Sequence, residues 1–416
     1  MVKVSRILAT GLVQSAFVKQ LYLAVDLVEP DKFLVDVVNS GVTAGSNDPF
    51  SGDVFNHIHK LNKNPKISSV KWLFTLNYIR LIYFFISKGT FTLKSFLSFS
   101  KRYMIYGDLY HLIKKKYDIF HFHFPKGSYL DLFWHLKKSD YCVLTFWGSD
   151  LLRTSDYSNF VMQKYAVQRA NLITTHSVEM REVILSKFGR EHLGKIRYTK
   201  FPPHDTLYKL IREYDHLDTT YQSSLAKKLN FNVHKKLIVV GHNSSPDNNH
   251  LNIIKSLAHL SDELKAQIFI MLPFAYGPKN LIYEEQIIRS LQEAGIEGKI
   301  APEFLSWEDL AKLKCLTDVM IHLPISDALS GALTEAWYGG ASIITGAWLP
   351  YSPFKNAGLI MECVDEFHQL PAVLSDVIAK GKPSIAQVET TRCAIDNNFS
   401  VIPSAKTWVK VFEDEG

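Results

Sequence analysis

Asp327 and Glu335 stand seven residues apart in 319–346, VMIHLPISDALSGALTEAWYGGASIITG. The apolar run 319–323 fits a strand buried on both faces. Pro324 ends it, and Ser326-Asp327 opens a polar loop. From 330 to 338 the spacing of Leu333, Ala336 and Trp337 gives one face of a helix. Gly339 and Gly340 stop that helix, because glycine takes the left-handed conformation freely. Ile343-Ile344 starts the next strand. One carboxylate is therefore placed in the loop and the other on the helix. Small residues at the entrance, Ser330, Gly331 and Ala332, followed by Leu333, let a ligand approach free backbone N–H groups, and a helix start attracts anions. The same pattern also suits an ordinary βαβ unit with solvated acids; this stretch alone leaves the two readings level.

Four further stretches offer chemistry. In 117–125, YDIFHFHFP, the period is two, so Ile119, His121 and His123 share one face. His123 lies nearer the strand's carboxyl end, where ligands of open α/β sheets collect. His121 is equally a satisfied core histidine. An H-x-H metal pair finds no third ligand at a matching spacing. LTFWGSDLLR (144–153) turns sharply at Gly148. Trp147 gives a ring for stacking on a sugar and Asp150 a carboxylate for its hydroxyls, while Ser149 or Asp150 would equally cap the next helix. VVGHNSSPDNNH (239–250) follows a strand and opens a helix, presenting His242, Asn243 and His250 without a Walker or dinucleotide glycine pattern. Ser245 or Asp247 as N-cap is its plain reading. LPFAYGPKNLIYEE (272–285) sets Tyr276 and Lys279 in a loop suited to a nucleotide base and phosphate. Lys279 serves equally as a surface lysine.

Those side chains need elements to hold them. Strands are expected at 3–10, 33–38, 118–124, 141–146, 172–175 and 196–200, with helices at 15–28, 129–136 and 178–188, and polar loop sequence from Asn39 to Asp53. FPPHD (201–205) breaks the alternation, 206–236 is polar and mostly helical, and the pattern then restarts. Alternating strands and helices predict parallel sheets with covering helices. The expected domains are 1–205, an interdomain helical linker 206–236, a second domain 237–395, and 396–416 as a final helix returning to the first. The fold class expected is α/β, with two doubly wound Rossmann-like domains whose parallel sheets face a cleft.

With 416 residues, 47% hydrophobic and 21% charged, the composition is that of a soluble globular protein. The four cysteines are scattered without metal-ligand spacing, and the start, MVKVSRILATG, is too polar for a secretory core, so a cytoplasmic location is expected. The net charge of +6 is unevenly spread: no acid stands between Asp53 and Asp108, an interval with nine Lys and Arg. Its apolar part, 72–86, is too short to span a bilayer, which takes ~20 apolar residues. Interleaved aromatic and basic residues over 60–106 fit contact with the inner face of a membrane. Two packed helices with a basic edge, or a nucleic-acid surface, are the alternatives, and nucleic acid is the least favoured.

The ordered set of motifs resembles the GT-B fold glycosyltransferases, above all the family-4 group, which transfers sugars from nucleotide donors, usually with retention. The resemblance covers about 117–350. It rests on ANLITTHSVEMREVILSKFG (170–189), KIRYTKFPPHDTLY (195–208) and SDALSGALTEAWYGG (326–340), the last similar to that family's E-x7-E element. It implies that Glu335 binds ribose hydroxyls, that Asp327 lies near the transferred sugar, and that the backbone of Ser330, Gly331, Ala332 and Leu333 holds the diphosphate. The family's Arg and Lys after the first strand of the second domain are replaced by His242 and the Asn248-Asn249-His250 region, and its N-domain histidine by Trp147. VGHNSSPDNNH, YGPKNLIYEE and FWGSDL also resemble phrases of bacterial 4-acetamido-4,6-dideoxygalactose (Fuc4NAc) transferases, which act on lipid-linked intermediates.

The function expected is sugar transfer from a nucleotide-diphosphate donor to a glycan or polyprenyl-linked acceptor in bacterial surface polysaccharide synthesis. The enzyme would be retaining and peripheral on the inner face of the plasma membrane. No metal or cofactor is expected, because D-x-D is absent. His123 and Asp150 are the candidates for contacting sugar or acceptor in the first domain. A GT-B sugar-nucleotide epimerase and an inactive GT-B scaffold are the rival readings.

Overall fold

The computed structural model describes residues 4–13, 15–39, 54–62, 64–90, 92–154, 156–214, 220–229, 231–301 and 304–414. After Asn39, the expected polar loop lies outside them as far as Asp53. The chain divides into two compact units, Met1–Pro202 with Val401–Gly416, and Pro203–Ser400.

The first unit begins β1 (Ser5–Gly11), α1 (Ala16–Val28), β2 (Phe33–Asn39) and β3 (His57–Lys60). A 3-10 turn, Ile67–Phe74, leads into α2 (Leu76–Ser87) and α3 (Leu93–Ile113). β4 (Ile119–His123), β5 (Tyr141–Thr145), α4 (Ser149–Leu152), α5 (Tyr157–Arg169), β6 (Leu172–Thr175), α6 (Val178–Phe188) and β7 (Ile196–Tyr198) follow. Within the described residues the strands form one parallel sheet ordered β3-β2-β1-β4-β5-β6-β7.

Two expectations change here. The segment 129–136 is not a helix but two 3-10 turns, Gly127–Leu130 and Phe133–His135. Leu130, Leu132, Phe133, Trp134 and Leu136 are all buried, and side chains from elsewhere in the unit hold carbonyls at the segment's end. Asn77 Nδ2 donates to Trp134 O (2.5 Å) and Arg169 Nη2 to Leu136 O (2.6 Å). The edge strand β3 was not foreseen, because HIHK alternates no apolar face.

The second unit starts with α7 (Asp205–Tyr214) and α8 (Thr220–Leu229), drawn from the expected linker. Both belong to this unit: Tyr208 Oη donates to Thr334 Oγ1 (2.8 Å), and Leu225 and Leu229 enter its core. β8 (Lys236–Val240), α9 (His250–Leu257), α10 (Asp262–Gln267), β9 (Ile268–Pro273), α11 (Leu281–Ala294), β10 (Gly298–Ala301), α12 (Trp307–Leu316) and β11 (Val319–His322) come next. Then come α13 (Gly331–Tyr338), β12 (Ser342–Gly346), α14 (Ser352–Asn356), β13 (Glu362–Val364), α15 (Leu370–Lys380) and α16 (Ile385–Asn398). The sheet is parallel, in the order β10-β9-β8-β11-β12-β13. A last helix, α17 (Val401–Glu413), joins the first unit, where Trp408, Val409, Val411 and Phe412 complete the core.

In each sheet the chain's order reverses once, between β1 and β4 and between β8 and β11. Such reversals open a crevice beyond the carboxyl ends of the strands, where ligands of doubly wound folds bind.

Candidate functional site

In the second unit, β8 runs into Gly241 at the reversal. Gly241 has φ +68°, and a Cβ there would stand 2.6 Å from His250 Nε2. The strand end and the α9 histidine are therefore packed backbone against ring. The loop that follows is wound on Asn248, whose Nδ2 donates to Asn243 Oδ1 (2.9 Å) and Ser245 O (3.2 Å). Ser245 caps the short turn, as one reading of the sequence had it. Asn249 Nδ2 donates to Leu323 O (2.7 Å) and Ile325 N to Asp247 O (2.8 Å), tying this loop to the one after β11. Ser244 Oγ donates within the Tyr276 loop, to Tyr276 O or Pro278 O (3.1 and 3.0 Å). Three loops thus meet at one sheet edge. Gly241→Ala forces a strained φ and a clash with a buried ring; a loss of about 2 kcal/mol or more in unfolding free energy is expected, read from denaturant titration.

His322, the last residue of β11, is fully buried and donates from Nε2 to Asp327 Oδ2 (3.2 Å). Tyr351 Oη donates to the same oxygen at 2.6 Å. Burial would raise the Asp327 carboxyl, but the hydrogen bonds from His322 and Tyr351 hold it well below the usual carboxylate range. Asp327 is a fixed anion. The His242 ring lies 5.2 Å from that of His322 and 6.2 Å from Tyr276. Burial, then the neighbouring His322, pushes His242 down to about 3, and burial pushes His250 down to about 4. His250 Nδ1 faces Tyr283 Oη at 3.1 Å. His242 Nδ1, His250 Nε2, His322 Nδ1 and Asn248 Oδ1 are buried without a hydrogen-bond partner. Such atoms cost about 1–3 kcal/mol each unless a ligand or water meets them.

α13 opens directly after Asp327. Its N-cap, Ser330, makes no side-chain capping bond, and Gly331 is exposed. The Leu333 side chain is core, so only its backbone could serve a ligand. Glu335, in the second turn, pairs with Lys314 Nζ from α12 at 2.8 Å. Lys279 is exposed on the Tyr276 loop.

In the first unit the reversal brings Gly11 beside His123. Gly11 has φ +99°, and a Cβ there would overlap His123 O. His121 and His123 are fully buried. The single hydroxyl of Tyr22 lies 2.7 Å from His121 Nδ1 and 3.1 Å from His123 Nε2. It can donate to only one of them and must accept from the other. His121 Nε2 continues the chain to Thr145 Oγ1 (2.6 Å), which meets Thr174 Oγ1 (2.7 Å). Burial holds both histidines neutral, His123 at about 3. Asp150 Oδ1 accepts from Trp147 N and Gly148 N, both at 2.9 Å, so this carboxylate closes the turn while Gly148 takes the cap position. Burial raises its carboxyl to about 7. His123 Nδ1, Trp147 Nε1, Asp150 Oδ2 and Thr175 Oγ1 are buried and unpartnered near the carboxyl ends of β4, β5 and β6.

The structure thus gathers Asp327, Glu335, Ser330, His242, Asn243, His250 and Tyr276 around one crevice, and His123 and Asp150 around another. Sequence reasoning missed His322, Tyr351, Lys314 and Tyr22. His322 ends its strand as His123 does and could have been found by the same argument; the other three carry no local signal. Among the described residues no group of three or more His, Cys, Asp or Glu is placed to hold a metal ion.

Two doubly wound parallel-sheet units, each with a crevice at its chain reversal, define the GT-B fold class. No family model matches the chain, and no curated protein sequence matches it. Among solved structures it is similar to a glycosyltransferase from Rickettsia africae (TM-score 0.68, 12% identity, covering 99% of this chain and 98% of that one). It is also similar to HepE of Anabaena in complex with UDP (0.68, 12%, 99% and 99%). A third is sucrose-phosphate synthase from Thermosynechococcus elongatus (0.69, 13%, 99% and 98%). At such identities the likeness establishes the fold.

Proposed function

We propose that the chain is a glycosyltransferase of the family-4 type, moving a sugar from a nucleotide-diphosphate donor to a glycan or lipid-linked acceptor in bacterial surface polysaccharide synthesis. The observation that carries this is the second unit's crevice, where an ionised Asp327, an uncapped helix start and Glu335 follow one another along α13 and the loop before it. The similar HepE structures hold UDP and UDP-glucose, which supports a nucleotide sugar as donor. The Fuc4NAc-transferase phrases favour a lipid-linked acceptor, reached from the cytoplasm at the inner membrane face through residues 60–106.

The chemistry follows from the charges. The diphosphate leaving group takes up negative charge as the glycosidic bond breaks, and the first N–H groups of α13 face that charge without reorganising. His242 replaces a fixed cation, so the helix start carries more of the phosphate binding. Glu335 accepts from ribose hydroxyls while Lys314 fixes its rotamer. Asp327, oriented by His322 and Tyr351, faces the sugar as positive charge develops at its anomeric carbon. The acceptor hydroxyl attacks the anomeric carbon from the face the diphosphate leaves and passes its proton to the departing phosphate, a retaining course that uses no protein nucleophile, metal or cofactor. In the first unit, His123 and Asp150 hold the acceptor or sugar hydroxyls.

The test is binding and turnover across nucleoside diphosphates and their sugars. At about a hundred times Kd, the right nucleotide stabilises the fold by about 2.7 kcal/mol, visible as a raised melting temperature. No stabilisation by any nucleotide would sink the reading. Interconversion of nucleotide sugars without acceptor would establish the epimerase in its place.

A further inference from the structure

The outward face of α2 carries residues that water does not favour. Its inward face is fully used: Tyr78, Leu81 and Phe85 are buried, and Phe85 packs on Phe99 and Trp134 (ring centroids 5.7 and 5.5 Å). Tyr78 Oη meets Ser100 Oγ at 2.6 Å, and Asn77 Nδ2 holds Trp134 O. The preceding 3-10 turn is clamped too, since Trp72 Nε1 donates to Asp108 Oδ1 (2.7 Å) and Trp72 lies against Gly107. This element is anchored on its inward side and needs no further partner inside the unit.

The opposite face nevertheless reads Leu76, Ile79, Tyr83 and Ile86, between 55% and 75% exposed. Their spacing of three, four and three makes a single stripe along the helix. A surface helix of a globular protein places charged residues there. Phe74 before the stripe and Leu93 after it are exposed at 78% and 76%. Along its own segment the charge has one sign: Arg80, Lys88 and Lys94 are exposed, and 54–107 contains no Asp or Glu. The twelve residues of α2 extend about 18 Å, short of the ~30 Å hydrocarbon layer. No helix of the described residues is long and apolar enough to cross a membrane.

We propose that α2 lies flat in the headgroup region of an anionic bilayer, with Leu76, Ile79, Tyr83 and Ile86 seated among the upper acyl chains. Arg80, Lys88 and Lys94 then meet lipid phosphates. The apolar stripe fits an interfacial helix, and the one-signed border complements an anionic leaflet, each cation adding about fivefold in affinity. The inference rests on the transferase reading with a lipid-linked acceptor and specifies how the enzyme reaches that acceptor. Binding by shallow insertion also differs from binding by charge alone, because it survives high salt.

Flotation with vesicles of phosphatidylcholine, alone or doped with phosphatidylglycerol, tests it. The wild-type chain floats with the anionic vesicles and at least about tenfold less with the neutral ones. Part of the anionic binding persists in high salt. The double variant Ile79→Asp, Tyr83→Asp loses at least about tenfold on both kinds of vesicle, with an unchanged melting temperature because both side chains face solvent. Lys88→Glu with Lys94→Glu abolishes the anionic preference alone. Flotation of the aspartate variant like wild type, complete loss of binding in salt, or retention on single-stranded RNA with no retention on vesicles would each overturn the proposal. Nucleoside diphosphate binding, measured on the same samples, separates the two readings. A chain that floats but binds no nucleotide overturns the transferase, and one that binds nucleotide but does not float overturns the membrane helix.

Discussion

Replacing Asp327 with alanine lowers the rate of sugar transfer at least about a hundredfold while the Kd for the nucleoside diphosphate changes by less than about threefold. The reason is the local geometry. Asp327 is held by His322 and Tyr351 through one oxygen, Oδ2, which fixes its direction and keeps it ionised. A preoriented charge acts where charge develops in the transition state, and removing one such group costs about 10²–10³ in rate. Alanine also strands the two donors, at about 1–3 kcal/mol of stability each. Asp327→Asn keeps an acceptor for them, so a rate loss in asparagine with a normal melting temperature isolates the charge. Glu335→Ala behaves in the opposite way. It weakens the nucleoside diphosphate by about 10–100-fold, the worth of hydrogen bonds to a charged group, with less effect on turnover at saturation. Wild-type turnover in the Asp327 variants would remove this residue from the reaction, and unchanged nucleotide affinity in Glu335→Ala would remove that one from the ribose.

Acid is the second large effect: the fold loses stability steeply as pH falls through 6.5. His121, His123, His135, His242 and His250 are neutral when folded, because burial lowers each below its ordinary value of 6.5. Below 6.5 the unfolded chain binds protons that the folded chain refuses, so each histidine removes about 1.4 kcal/mol per pH unit. For His250 this continues to about 4, and for His123, His135 and His242 to about 3. Asp131 and Asp150 work the other way. Burial raises both to about 7 from 3.8, so the folded state gains protons, and stability, as pH falls between those values. Two carboxyls offset two histidines, and three histidines remain, a net loss of about 4 kcal/mol per unit below pH 6. Against a typical 5–15 kcal/mol, two units remove a large part of the chain's stability. Urea midpoints at pH 7 and pH 5.5, followed by tryptophan fluorescence, measure this; a midpoint constant or rising on acidification contradicts it.

Local pattern carried most of the fold. Strands 172–175 and helix 178–188 fall where periodicity puts them, because their apolar spacing is also their packing. The helix expected at 129–136 failed for the converse reason: its apolar residues are buried all round, and side chains of α2 and α5 hold the segment's end, which no local pattern reports. The acids and the glycine-lined helix start were legible because a single βαβ unit presents them. Lys314 was not, since its partner Glu335 sits on the next helix of the fold. Nor was Tyr22, which reaches His121 and His123 from a hundred residues away in the chain. The replacement of an Arg/Lys pair by His242 was visible as a departure from the family pattern; its burial between His322 and Tyr276 needed coordinates.

The return of α17 fixes an order of events during synthesis. Trp408 lies beside His121, and Phe412 beside Tyr22 and Phe33, so the first unit's hydrophobic centre includes residues translated after the whole of the second unit. While the ribosome is still making 203–400, the first sheet waits with one wall absent. The second unit, continuous in the chain, finishes first although it begins later. A nascent chain halted before residue 401 would therefore hold a folded second half and an unfinished first, an inversion that protease sensitivity of stalled chains would display.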